Sequence, residues 1–420
     1  MRAHFDGEAA EHRPSGAAPR AGRRGDYLAL TLMYVAQGLP IGLAYNALAV
    51  LIRAGGYDAA MVGYTGLAFV PWALKFLWAP AVDNACARHG MRRVLWITQL
   101  GIVATCAALV PVPPDIAHPG SLAAVLTLVV LMNALCATQD IVTNAYAVRR
   151  LQGRAAGAAN AIQVAGFIAG MLVGGGGLLV LSAHVGWRGA MTALAAAMAL
   201  IYLPLGFVPG GFAGRAQAPA APRVRLRDVF RRRDFGWAVL LAGSFKLAST
   251  GVSTLVQPWL LDRGVSIEAI GRLQMSNLAF VALGAVAIGV PMVRRFGCRR
   301  AVLTGIALAG ALAGTAWVLD AQQRFSLPAC YVAFAVQSLF EGAMYVAVWA
   351  TLMNWASPER PGADFTTMQC CENLGNVVAT GLIGAAVSAL GYGGAFACAW
   401  ALALVVWAAA WVSLGRMRLV

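Results

Sequence analysis

The chain has 420 residues, 60% of them hydrophobic and only 12% charged, a balance too apolar for a water-soluble protein of this size and suited to a polytopic membrane protein. Its formal charge of +15 does not mark a nucleic-acid binder, because the arginines punctuate apolar runs instead of lining a soluble face. Six of the eight cysteines fall in apolar segments, and Cys86 and Cys298 sit in basic loops without metal-type spacing. No disulfide framework, metal site or cofactor is therefore expected.

Residues 1–25 are rich in Arg, Ala, Gly and Pro and read as a disordered cytoplasmic tail, with no signal peptide removed. Apolar runs of about 20 residues then predict spans at 27–52, 60–82, 94–112, 121–147, 157–183 and 188–208. A second group follows at 236–261, 267–293, 301–320, 326–352, 365–389 and 392–414. Residues 209–235 between them form a Pro/Ala/Gly stretch that turns basic and amphipathic, a cytoplasmic linker. The last residues, 416–420, are a short tail. With the N-terminus inside, only Arg53, Arg188, Arg263, Arg272 and Arg324 fall at outer ends, and both termini are cytoplasmic.

The two groups repeat at an offset of 207 or 208 residues. RRGDY ending at Tyr27 matches RRRDF ending at Phe235, Gly56 and Gly63 match Gly264 and Gly271, and RHGMRRVL (88–95) matches RFGCRRAVL (295–303). Register held through loops indicates a duplicated six-helix unit. Two parallel repeats around a basic linker resemble the major facilitator superfamily. The expected fold is thus an all-α membrane protein of 12 transmembrane helices, with bundles at 26–208 and 236–415. The segment 83–93, DNACARHGMRR, is similar to that superfamily's loop between the second and third helices. This similarity implies a gate in which Asp83, with Arg92 and Arg93, latches one bundle to the other through a helix N-terminus or an arginine.

Only two basic residues are lysines, Lys75 and Lys246, and both lie inside spans. An ammonium there costs about 3 kcal/mol on insertion scales, so each needs a partner, a cavity or a ligand. Helical rise places Lys75 and Asp140 at matching depth in the first bundle, and brings Lys246, Glu341 and Glu372 within reach of one another in the second. Asp140, Glu341 and Glu372 are candidate proton-coupling carboxylates, although Lys75 and Asp140 also read as a fixed ion pair that orders packing. No histidine lies in a span core, which argues against a histidine relay.

Uncharged polar groups surround these charges. Gln369, Glu372, Asn373 and Asn376 share one face of the eleventh span, and Gln37, Gln139 and Gln257 add amides. Such amides suit a polar solute or interhelical hydrogen bonds. Trp72, Trp259, Tyr345 and Trp349 offer rings for stacking or interfacial anchoring. With Lys75, Lys246, Gln37, Gln139, Gln257, Trp259, Gln369, Asn373 and Asn376 as candidate solute contacts, the run Gly174–Gly177 reads as helix packing or bending, not a phosphate loop.

Three segments carry a narrower resemblance: YVAQGLPIGL (34–43), PWALKFLWAPAVD (71–83) and ATQDIVTNAYAVRRL (137–151). They resemble the AmpG-like branch of the superfamily, which holds muropeptide permeases, acetyl-coenzyme A transporters and RhtX/FptX-type siderophore permeases. The resemblance implies a proton-driven permease of the bacterial inner membrane, not an enzyme, with Lys75, Gln139 and Asp140 at functional positions. Asn144 stands where muropeptide permeases carry an acidic residue, and AVRRL reads more like the siderophore group. The expectation is therefore import of an iron-siderophore complex by a monomer, with protons and the lipid bilayer as its other partners. A muropeptide permease for cell-wall recycling is the alternative, and a membrane sensor without transport the alternative of another class.

Overall fold

Inside a bilayer every backbone N–H and C=O must find a partner within the chain, which restricts a spanning segment to a helix or a closed barrel. This chain uses helices, with no strand among the described residues. The computed structural model describes residues 24–57, 61, 63–118, 120–207, 223–322 and 326–419. The expected N-terminal tail up to residue 23, linker residues 209–222, Arg324 and Val420 lie outside them.

The elements are α1 (Arg24–Ala54), α2 (Tyr64–Leu77), α3 (Ala79–His89), α4 (Met91–Leu109), α5 (Ser121–Leu151) and α6 (Gly153–Leu205). A short helix, α7 (Leu226–Phe230), leads into α8 (Phe235–Asp262), α9 (Glu268–Ala321), α10 (Leu327–Trp355) and α11 (Pro361–Arg416). Among the described residues seven of these are each long and apolar enough to cross a membrane, and the α2–α3 pair, bent by 66°, makes an eighth. The expected twelve differ by counting α4 and by starting a new span at three breaks. These are Gly186 in α6, Gly297 in α9 and Gly391 in α11, where φ is 70°, 74° and 67°. Side chains rarely adopt that left-handed backbone, so glycine there divides each of these long helices in two at a kink.

The duplication read in the sequence reappears in the backbone. Positive-φ glycines pair as Gly56 with Gly264, Gly90 with Gly297, and Gly186 with Gly391, which are 208, 207 and 205 residues apart. The two halves, 24–205 and 235–416, thus turn at equivalent places.

Glycines also set the helix contacts. Gly38 and Gly42 on α1 face Gly170 and Gly174 on α6, and a Cβ on Gly170 would lie 2.2 Å from the Val35 carbonyl oxygen. This is small-xxx-small packing, in which absent side chains let backbones touch. The expected bending of this helix is present as well, as a π-turn over Val173–Gly177. Large apolar side chains such as Leu100, Val180, Val332 and Leu404 are exposed on the outside, as a lipid-facing surface requires.

Candidate functional site

Both lysines sit where regular α-helical bonding lapses. Lys75 opens a single 3₁₀ turn, Lys75–Leu77, just before the bend between α2 and α3, where Pro71 and Pro80 each remove a backbone donor. Lys246 follows a turn at Phe245 that divides α8 into Phe235–Ser244 and Leu247–Asp262. Irregular backbone at such depth is tolerated where protein or a cavity surrounds it.

The Lys75 ammonium is 2.5 Å from Asp140 Oδ2 and donates to Gln369 Oε1 at 2.7 Å. The Lys75 and Asp140 side chains are only 3% and 4% exposed, so the pairing expected from their depth forms in a dry setting. Asn144 donates to both Asp140 Oδ2 (2.8 Å) and Gln369 Oε1 (3.0 Å), and accepts from the Tyr34 hydroxyl. Trp72 lies 4.9 Å beneath the ammonium and is held by Asn133. One cation meets one carboxylate, with every donor directed, and Gln369 ties the pair to the opposite half.

The second cluster has different stoichiometry. Lys246 Nζ lies 3.8 Å from Glu341 Oε1 and 3.9 Å from Glu372 Oε1, and 4.8 Å from the centre of the Tyr345 ring. Tyr345 donates its hydroxyl to Glu372. A single ammonium therefore serves two carboxylates without a close hydrogen bond to either. Tyr345 in turn packs with Phe245 and Trp349, and Trp349 with Phe365, edge-on or tilted, in one aromatic group beside the cluster. Helix α11 links both clusters, since Gln369 and Glu372 lie one turn apart on it.

The halves are joined at the end that carries the α5–α6 and α10–α11 connections. Asp83 of α3 is buried and accepts from Gly362 N (3.1 Å) and Ala363 N (2.8 Å), the first turn of α11, while Arg149 adds its charge nearby. Gln152 donates to the carbonyls of Met353 and Ala356, and Asn354 accepts from Gly153 N. Asn84 exchanges two hydrogen bonds with the Val224 backbone and so holds the chain before α7. Arg232 bridges Asp234 and Asp364 and covers the Trp355 ring. Toward the opposite end, Tyr45 and Asn46 of α1 and Ser253 and Gln257 of α8 are exposed.

Several expected solute contacts are engaged in packing. Gln37 is fully buried and donates to Thr143, and Gln139 is fully buried and donates to Gln99 of α4. Trp259 is 1% exposed, donates to Asp320 and packs edge-on against Phe396 in a second hydrophobic cluster. These three point into protein because the helices that carry them are buried on more than one face. Asn376 accepts from Thr250, and Asn373 is exposed. Arg92 and Arg93, expected at the gate, are exposed at the start of α4, whereas Asp83 meets the N-terminal N–H groups of α11, one of the two kinds of partner expected for it. Sequence reasoning missed Asn84, Gln152, Asn354 and Asp364. Asp364 was within reach of that reasoning: the predicted span began at 365, one residue past a fully buried carboxylate.

Comparison with known proteins gives the following. Residues 26–185 match the family model described as Acetyl-coenzyme A transporter 1, and residues 247–418 match the Major Facilitator Superfamily model. The anhydromuropeptide permease of Escherichia coli K12 is 28% identical over 378 residues, 86% of this chain and 74% of that one. Putative transporter AmpG 4 of Rickettsia conorii is 22% identical over 385 residues, 87% of this chain and 91% of that one. Among solved structures, a bacterial homologue of the iron transporter ferroportin in an outward-facing state superposes with a TM-score of 0.71 at 14% identity, covering 94% of this chain and 100% of that one. The proton:xylose symporter XylE superposes with a TM-score of 0.65 at 13% identity, covering 91% and 94%. At these identities the structural likeness shows the fold alone.

Proposed function

We propose, from the match of residues 247–418 to the Major Facilitator Superfamily model and the similarity to AmpG-type permeases, that this chain is a proton-coupled importer of an anhydromuropeptide-type solute in the bacterial inner membrane. The observation that carries the substrate reading is the similarity to an anhydromuropeptide permease, which runs through both halves of the chain. The siderophore expectation rested on Asn144 and the segment after it. Asn144 has a different physical explanation, since its amide joins Asp140 to Gln369 beside Lys75. A second carboxylate at that place would lie against Asp140 and face one ammonium.

In this reading the twelve expected crossings form two bundles that rock about a central site, with both termini cytoplasmic. The joined end is then the cytoplasmic gate, closed by Asp83 on α11 and by Gln152 and Asn354, and the cavity opens outward. Lys246, the more exposed of the two lysines, attracts a carboxylate of a peptide-bearing solute, while Lys75 stays held by Asp140 and Gln369. The Lys246 cluster holds one excess carboxylate, and a proton on Glu341 or Glu372 makes it neutral. Because α11 carries both Gln369 and Glu372, moving it away from Lys75 to open the gate also shifts the second cluster. That shared helix couples proton binding to the gate.

The test is uptake in a bacterium lacking its own muropeptide permease. Expression of this chain should restore accumulation of labelled anhydromuropeptide and leave siderophore-dependent iron uptake unchanged. Restored siderophore uptake without muropeptide uptake would reverse the assignment, and tight binding of either with no transport would favour a sensor.

A further inference from the structure

Between α8, α9 and α10, inside the second half, lies a cavity of about 190 Å³ that opens to solvent. Ser253 and Gln257 on α8 and Gln274 on α9 are exposed where they line it. Deeper in, Gln337 of α10 is 5% exposed and its Oε1 has no protein partner, and Asn277 Oδ1 of α9 is likewise buried without one. One turn beyond Gln337 on α10 lies Glu341, the charged residue of the lining, already attended by Lys246. The remaining walls are aliphatic apart from Phe334 and Ser338.

Buried carboxamide oxygens are satisfied as a rule, and Gln337 Oε1 and Asn277 Oδ1, unlike the equally unpartnered Oε1 atoms of Gln37 and Gln139 in packed protein, belong to residues that line a cavity which a ligand group can enter. That group must present N–H or O–H donors to Gln337 and Asn277. It must also not be anionic, because the one charged group at the floor is the Glu341 carboxylate, whose ammonium is shared with Glu372. We propose that this cavity is a subsite for an uncharged, donor-rich sugar ring of the acetamido type, separate from the ammonium of Lys246 that receives a carboxylate. The inference deepens the muropeptide reading and rests on it: the sugar end of the solute enters between α8, α9 and α10 while its peptide end faces the space between the halves. Glu341 then lies between the two, one turn from the sugar and beside Lys246, so occupation of the subsite is felt at the proton-binding cluster.

The experiment uses the purified full chain in detergent and the uncharged disaccharide N,N′-diacetylchitobiose, with unfolding temperature as the readout of binding. The disaccharide should raise the Tm of the wild type, and Gln337→Leu and Asn277→Leu should each raise the half-saturating concentration about tenfold, the loss of one hydrogen bond. Without ligand both variants should melt at or above the wild-type temperature, because each removes a buried polar atom that lacks a partner. Equal disaccharide binding in wild type and variants would overturn the subsite and leave the muropeptide reading standing. Binding of anhydromuropeptide but not of the disaccharide would overturn the ligand class. Variants that melt well below wild type would show the two amides to be structural and overturn it too. Failure of wild type to bind either probe would remove both readings together.

Discussion

Replacing Asp83 with Asn tests the gate. The Asp83 carboxylate takes two backbone N–H groups at the N-terminus of α11, at 3.1 and 2.8 Å, and it does so while 2% exposed. A carboxylate there gains from two charge-assisted hydrogen bonds and from the helix dipole, which reaches about 2 kcal/mol where the site is partly buried. Asn keeps one acceptor, turns an NH₂ toward the other N–H, and loses the charge. The joined arrangement should therefore lose about 2 kcal/mol relative to the parted one, a shift of roughly 30-fold in their ratio. Spin labels at the exposed positions Arg92 and Glu359, with exposed Cys398 changed to Ser, report the separation of the halves at this end. Pulsed electron resonance should show one short distance in the parent and an added long-distance population in Asp83→Asn. Identical distance distributions in the two proteins would refute the latch.

Lys75→Met should lower stability by about 3 to 5 kcal/mol, because it leaves Asp140 as an unpaired buried charge, while the double change with Asp140→Leu should recover most of that loss; thermal unfolding in detergent measures both. Gly170→Val should reduce stability by about 1 to 3 kcal/mol or more, since the first added carbon meets the Val35 carbonyl of α1, and Gly176→Ala, with open space around it, serves as the mild control in the same assay. Glu372→Gln should abolish accumulation driven by a pH gradient yet allow solute exchange across equal pH, read as counterflow in proteoliposomes; unchanged pH dependence of uptake would exclude Glu372 from proton coupling.

The parts of this architecture that were legible in the sequence are those dictated by cost. A lysine inside an apolar run must find a carboxylate, and Lys75 with Asp140 and Lys246 with Glu341 and Glu372 do so. The duplication was legible because a left-handed turn needs glycine, so Gly56 and Gly264 keep their register through loops. Orientation of side chains on buried helices was not legible. Gln37, Gln139 and Trp259 lie on helices contacted on several sides, and helical spacing alone does not say which contact faces a cavity. The Asp83 contact between the halves was half legible: Asp83 could be singled out by its loop, while its partners are backbone groups of Gly362 and Ala363, which any sequence supplies. Asn144 misled, because a residue shaped by a hydrogen-bond network across the halves was read as a mark of substrate.

The central claim is that this chain moves an anhydromuropeptide across a membrane at the expense of a proton gradient. Purified protein in liposomes, given labelled anhydromuropeptide and a pH gradient acid on the outside, tests it directly. The account predicts accumulation inside above the external concentration, collapsing when a protonophore removes the gradient. Equal uptake with and without the gradient, or none above protein-free liposomes, would contradict it.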